Sequence, residues 1–176
     1  MSTVQIAFLG ATETVTGSRF LITSDKSKIL VDCGMFQGVK SDRLKNWDPF
    51  PVEPESIDAI VLSHAHLDHS GFLPVLVRDG FKGPIYSTHY TKELTAVILR
   101  DSAHLQTEDA KYAMKKGYSK HPVPKALYGE EEVAKTLPLF SIQRKNNSFS
   151  LKKDRGYIMF IFCLFILNRN EGNKKQ

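Results

Sequence analysis

The sequence predicts an α/β domain built in layers, and three observations carry that prediction. Strand-like runs come first, and strand and helix then alternate. One run, "SIDAIVLS" (56–63), is nearly all apolar at its end, the pattern of a strand buried on both faces. A chain of 176 residues is long enough for one domain with a real core.

The elements follow in order. "VQIAFLG" reads as a strand ended by Gly10, and "ATETVTGS" as a loop of small residues. "RFLITS" and "KILVDCG" read as two strands, with the polar "DKS" between them as a hairpin turn. After "SIDAIVLS" comes "SGFLPVLVRDG", expected as one helix closing at Gly80, with Pro74 tolerated near its first turn. "GPIYST" reads as a short strand. The longest helical pattern runs from Thr91 to about Lys116, and "GEEEVAKTLPLF" reads as a shorter helix that Pro138 ends. Composition then shifts. Residues 141–176 hold no proline and no histidine, but contain the apolar run "YIMFIFCLFIL" and a Lys/Asn-rich end. The expected organisation is a domain over 1–140 followed by a divergent tail over 141–176.

Charge and cysteine content exclude several classes. The formal charge of +5 comes from the tail, which carries eight Lys/Arg against two acids, whereas residues 1–140 carry sixteen against seventeen. A basic pI of that origin is no evidence for a polyanionic partner. Two cysteines make no disulfide framework, so a reducing, cytoplasmic setting is expected. The start "MSTVQIAFLG" lacks the form of a signal peptide. The run 157–167 is eleven residues, against about 20 for a membrane-spanning helix, so no membrane span is expected.

One stretch stands apart. "SHAHLDHSG" (63–71) places His64, His66, Asp68 and His69 within six positions. Residues two apart in an extended chain point the same way, so His64 and His66 can meet one ion. Asp68 and His69 follow where the chain turns into a helix, and can face a second ion or hold the first. Imidazole with carboxylate suits zinc best, with manganese or iron less well matched. A lone histidine is usually a surface or satisfied core residue, and four donors in six positions are not explained that way. His89 follows a strand end and is a weaker candidate. His104 and His121 are not expected as ligands.

His64-Ala65-His66-Leu67-Asp68-His69 resembles the HxHxDH signature of the metallo-β-lactamase fold, an αββα sandwich. "FLGATETVTGSRFLI" (8–22) and "ILVDCGMFQG" (29–38) resemble the β-CASP branch of that fold, the RNA-processing and DNA-repair nucleases, most like its bacterial members. "IDAIVLSHAHLDHSGFLPVLVRDGFKGPIYST" and "LRDSAHLQTEDAKYA" continue the likeness, which covers about residues 4–140. The resemblance implies a zinc-dependent ribonuclease with two ions. His64 and His66 would bind the first and Asp68 and His69 the second, with Asp68 also handling protons near the nucleophilic water. It implies that Asp32 orients a ligand by hydrogen bonding, and that Gly17 and Ser18 line the active-site rim. The plain alternatives are a strand-end carboxylate for Asp32 and a turn for Gly17–Ser18.

The resemblance also implies a third histidine in a later "GHxxGS"-like segment, a bridging aspartate, another histidine and an RNA-gripping insertion. After His121 this sequence has no histidine, and after residue 132 its acidic side chains are Asp154 and Glu171. The expectation is therefore the N-terminal half of the fold, without the β-CASP insertion, truncated and catalytically incomplete, its tail the product of a disrupted reading frame. The alternatives are a short metal- or partner-binding protein using the half-site, a membrane-associated protein anchored by 157–167, and a thioesterase- or lactamase-like hydrolase of the same fold.

Overall fold

Side chains alternate along the strands, and that alternation builds a six-stranded sheet with two unequal faces. The computed structural model describes residues 3–117, 125–143 and the strands 149–153 and 156–160. β1 (Gln5–Gly10), β2 (Arg19–Ser24) and β3 (Ser27–Val31) pair antiparallel in succession. A short helix, α1 (Lys40–Leu44), leads towards β4 (Ala59–Val61), which pairs parallel to β3. Next come α2 (Leu67–Ser70), α3 (Leu73–Arg78) and β5 (Ile85–Ser87), the last parallel to β4. α4 (His89–Lys116), α5 (Glu130–Thr136) and β6 (Phe140–Ile142) complete the order, with β6 parallel to β5. Strand order across the sheet is sequential, β1 to β6. β7 (Phe149–Lys153) and β8 (Gly156–Phe160) form a separate antiparallel hairpin.

β4 is buried on both faces, as its apolar run predicts. Ile60 joins Leu21, Leu30 and Ile85 in the main core, packed against Phe72, Leu76, Leu99 and Val133 of the helical layer. Ala59 and Val61 join Ile29 on the opposite face, in a smaller cluster. Each large side chain fully buried in this way contributes about 1.5–3 kcal/mol.

Two expected elements are corrected and one strand is added. The helix read over 70–80 is two, α2 and α3, with Gly71 between them. A Cβ on Gly71 would lie 2.5 Å from the Leu67 carbonyl oxygen, so the junction needs glycine. α4 starts at His89 rather than Thr91, because the Thr88 hydroxyl accepts the Thr91 N–H at 3.2 Å and caps the helix. It stops at Gly117, which adopts φ +68°. The last helix ends at Thr136. Pro138 sits in the single 3₁₀ turn that follows, so the helix ends just before it as expected, and Phe140 opens a strand with no counterpart among the expected elements. That strand runs across the expected boundary at residue 140. Among the described residues no helix is long and apolar enough to cross a membrane. His121 and residues 161–167 of the apolar run lie outside the described residues.

Candidate metal centre

The ends of the parallel strands β3 and β4 lie side by side, and the histidine cluster leaves from there. Open α/β sheets bind ligands at such carboxyl ends. The Asp32 N–H extends the ladder by one residue, donating to the Val61 carbonyl at 2.9 Å. Asp32 itself takes φ +57°, a left-handed conformation that aspartate tolerates better than most residues. This turns the following backbone onto α2. Four residues of helix cannot satisfy their own carbonyls. Ser18 and Cys33 supply missing N–H groups to the carbonyls of Asp68 (2.8 Å) and His69 (2.7 Å), and Met35 adds a second donor (2.9 Å) to the Leu67 carbonyl, which also accepts the Gly71 N–H. The approach is close enough that a Cβ on Gly34 would sit 1.7 Å from the Asp68 carbonyl oxygen.

The Asp32 side chain, 4% exposed, then gathers the cluster. Its Oδ1 accepts the Ser63 N–H at 2.7 Å. Its Oδ2 accepts the Ser63 hydroxyl at 2.8 Å and lies 2.8 Å from His69 Nδ1. A carboxylate only accepts, so His69 carries its proton on Nδ1 and leaves Nε2 with a lone pair. His64 Nδ1 lies 2.9 Å from Ser63 Oγ. The ring centroid of His64 is 3.9 Å from that of His69 and 4.8 Å from that of His66. His69 Nε2 is 3.5 Å from Asp68 Oδ2. His66 is exposed, and His64, Asp68 and His69 are half-buried.

These surroundings move two histidines apart in basicity. Burial lowers His64, and neighbouring His69 and His66 lower it further against the opposing pull of Asp32 and Asp68. Burial acts to lower His69 too, but the hydrogen bond and charge of Asp32, helped by Asp68, outweigh it and raise the pKa. Donor type and tautomer fit a divalent cation. The number of converging donors is short: among the described residues no three such side chains group closely enough to hold one ion. The four donors fit as part of a site rather than as a complete one.

Gly17 and Ser18 reach this centre from beneath. Both are buried, Gly17 at φ +84° with the Phe36 ring where a Cβ would stand, and Ser18 bonded to the Asp68 carbonyl. Ser18 supports α2 from the interior through that bond, while Gly17 packs against the Phe36 ring. His89 stands exposed in the first turn of α4, with its ring against Tyr90, and His104 is exposed on the same helix.

Two residues escaped the sequence reading. Ser63 is one, although its position directly before His64 was a signal. Arg19 is the other. It is 3% exposed, its Nε donates to the Gly34 carbonyl at 2.8 Å, and its guanidinium lies 4.0 Å from the Phe72 ring centroid and 4.8 Å from that of Phe36. Burial lowers its pKa. The aromatic faces take the place of a carboxylate partner and brace the turn that carries Asp32.

Comparison with known proteins identifies the family. A family profile described as the metallo-beta-lactamase superfamily matches residues 14–140. The chain is 42% identical over 105 residues to "Ribonuclease TTHA0252" of Thermus thermophilus, covering 60% of this chain and 24% of that protein. It is 35% identical over 161 residues to "Probable RNase MJ4" of Methanocaldococcus jannaschii, covering 89% and 32%. It is 29% identical over 141 residues to "Transcription termination factor FttA" of the same organism, covering 77% and 22%. The chain thus spans between about a fifth and a third of the length of these relatives. On its motif, its fold and these matches, the chain belongs to the metallo-beta-lactamase superfamily and resembles part of the β-CASP RNA-processing nucleases within it.

Proposed function

We propose that this chain carries the first portion of a zinc-dependent centre that hydrolyses RNA phosphodiester bonds, acting in the cytoplasm. The observation that carries the reading is the Asp32 carboxylate, which anchors His69 directly and His64 through Ser63. Outer carboxylates of this kind fix the orientation and tautomer of metal-binding histidines. His64 and His66 would hold one ion and Asp68 and His69 a second. A divalent ion held by these residues would supply hydroxide from water near neutral pH. The chain's own residues contribute orientation and proton handling. Asp32 holds His69 with its Nδ1 protonated. Asp68, half-buried with Oδ2 3.5 Å from His69 Nε2, would handle protons near the nucleophilic water. RNA as substrate is supported by the names of two relatives as ribonucleases.

By itself the 176-residue chain is proposed to be catalytically incomplete, since its donors do not group in threes among the described residues and no histidine follows His121. A chimera tests substrate and site together. Residues 14–140 replace the matching segment of the Thermus thermophilus ribonuclease, and the product is assayed on labelled single-stranded RNA. Cleavage that disappears on His64→Ala with His66→Ala is the expected outcome. A folded chimera that binds zinc and leaves RNA intact would contradict the assignment of substrate.

A further inference from the structure

We propose that Ser63 is a positioning residue that sets the tautomer of His64, relaying the Asp32 carboxylate to a ring which Asp32 does not touch. The inference rests on the reading of this cluster as a metal centre, and its test is separable from that reading. Ser63 Oγ has one proton and two neighbours. Asp32 Oδ2, at 2.8 Å, only accepts, so the hydroxyl proton goes there. Towards His64 Nδ1, at 2.9 Å, the hydroxyl must then accept, which puts a proton on Nδ1 and leaves the lone pair on Nε2. The orientation of the hydroxyl is itself constrained, because the Ser63 N–H is tied to Oδ1 of the same carboxylate at 2.7 Å. One carboxylate therefore imposes the same tautomer on two histidines, His69 by direct contact and His64 through the serine.

The two routes give an internal control. Ser63→Ala removes the relay to His64 and leaves the His69–Asp32 contact in place. Ser63→Thr keeps a hydroxyl on the same backbone position. The measurement is long-range ¹H–¹⁵N NMR of the histidine rings in the metal-free 176-residue chain, at a pH where the rings are neutral. In the unaltered chain both His64 and His69 should show a protonated Nδ1 and an unprotonated Nε2. In Ser63→Ala the His64 ring should pass to mainly the Nε2–H form while His69 keeps its own, and Ser63→Thr should restore His64. Retention of the Nδ1–H form at His64 in Ser63→Ala would overturn the proposal. So would movement of His64 and His69 together, which marks a general loosening. Because no metal is present, a zinc titration reports separately. A tautomer change at His64 in a chain that binds no zinc supports the role of Ser63 and counts against the metal centre.

Discussion

Asp32→Asn isolates the polarity of the central carboxylate. Asparagine is nearly the same shape and tolerates the left-handed φ of +57° that residue 32 adopts, so the backbone stays unstrained. The amide oxygen can still accept the Ser63 N–H, now without charge. The amide nitrogen replaces Oδ2 and meets two donors, the Ser63 hydroxyl and His69 Nδ1–H. The hydroxyl rotates to accept, and His69 can do so only by moving its proton to Nε2, the atom a metal would need. Hydrogen bonds to charged groups contribute about 1.5–3 kcal/mol each, and three lose their charge here while none loses its partner outright, so the expected cost is roughly 2 kcal/mol instead of the full sum. Urea denaturation followed by circular dichroism measures the loss. Zinc affinity should fall by about 10–100-fold, the usual effect of removing an outer partner of a metal-binding histidine. Unchanged stability together with unchanged zinc affinity would refute the reasoning.

Phe72→Ala removes a ring that is 1% exposed, stacks on Phe50 at 6.0 Å and lies under Arg19 at 4.0 Å; the expected cost is about 3–5 kcal/mol by denaturant titration. The Cys33 thiol is pushed up to about 12, chiefly by burial, so it remains protonated below that pH. Peptide mapping after iodoacetamide treatment at pH 8 should find Cys33 unmodified in the native chain and modified in urea. Ile6, 57% exposed on the edge strand β1, invites pairing between chains, and Ile6→Lys should reduce light scattering on concentration with little change in stability.

The donor cluster was legible because its chemistry lies in six consecutive positions and needs no knowledge of the fold. β4 was legible because burial on both faces leaves a continuous apolar run. Asp32 was found through the resemblance of "ILVDCGMFQG", while its hydrogen bonds to Ser63 and His69 span 31 and 37 residues and have no local signature. Arg19 was missed for the same reason, since its Gly34 partner is distant in sequence; Ser63 stands beside His64, but its bond to Asp32, 31 residues away, is what gives it a role. β6 was hidden by Pro138, which reads as a helix end. Only pairing with β5, more than fifty residues earlier, makes Phe140–Ile142 a strand. The need for glycine at 71 comes from the close approach of the Leu67 carbonyl and the Met35 side chain to the place a Cβ would take, which the sequence pattern does not show.

Zinc titration of the dialysed 176-residue chain, followed by calorimetry and by metal analysis, tests the central claim most directly. The donors are of the right type and tautomer but do not group in threes among the described residues, so affinity should be well below that of a complete site. The account predicts saturable, weak binding that the His64→Ala, His66→Ala double variant abolishes, with less than two ions per chain kept through dialysis. Binding that survives the double variant, or two ions retained after dialysis, would contradict it.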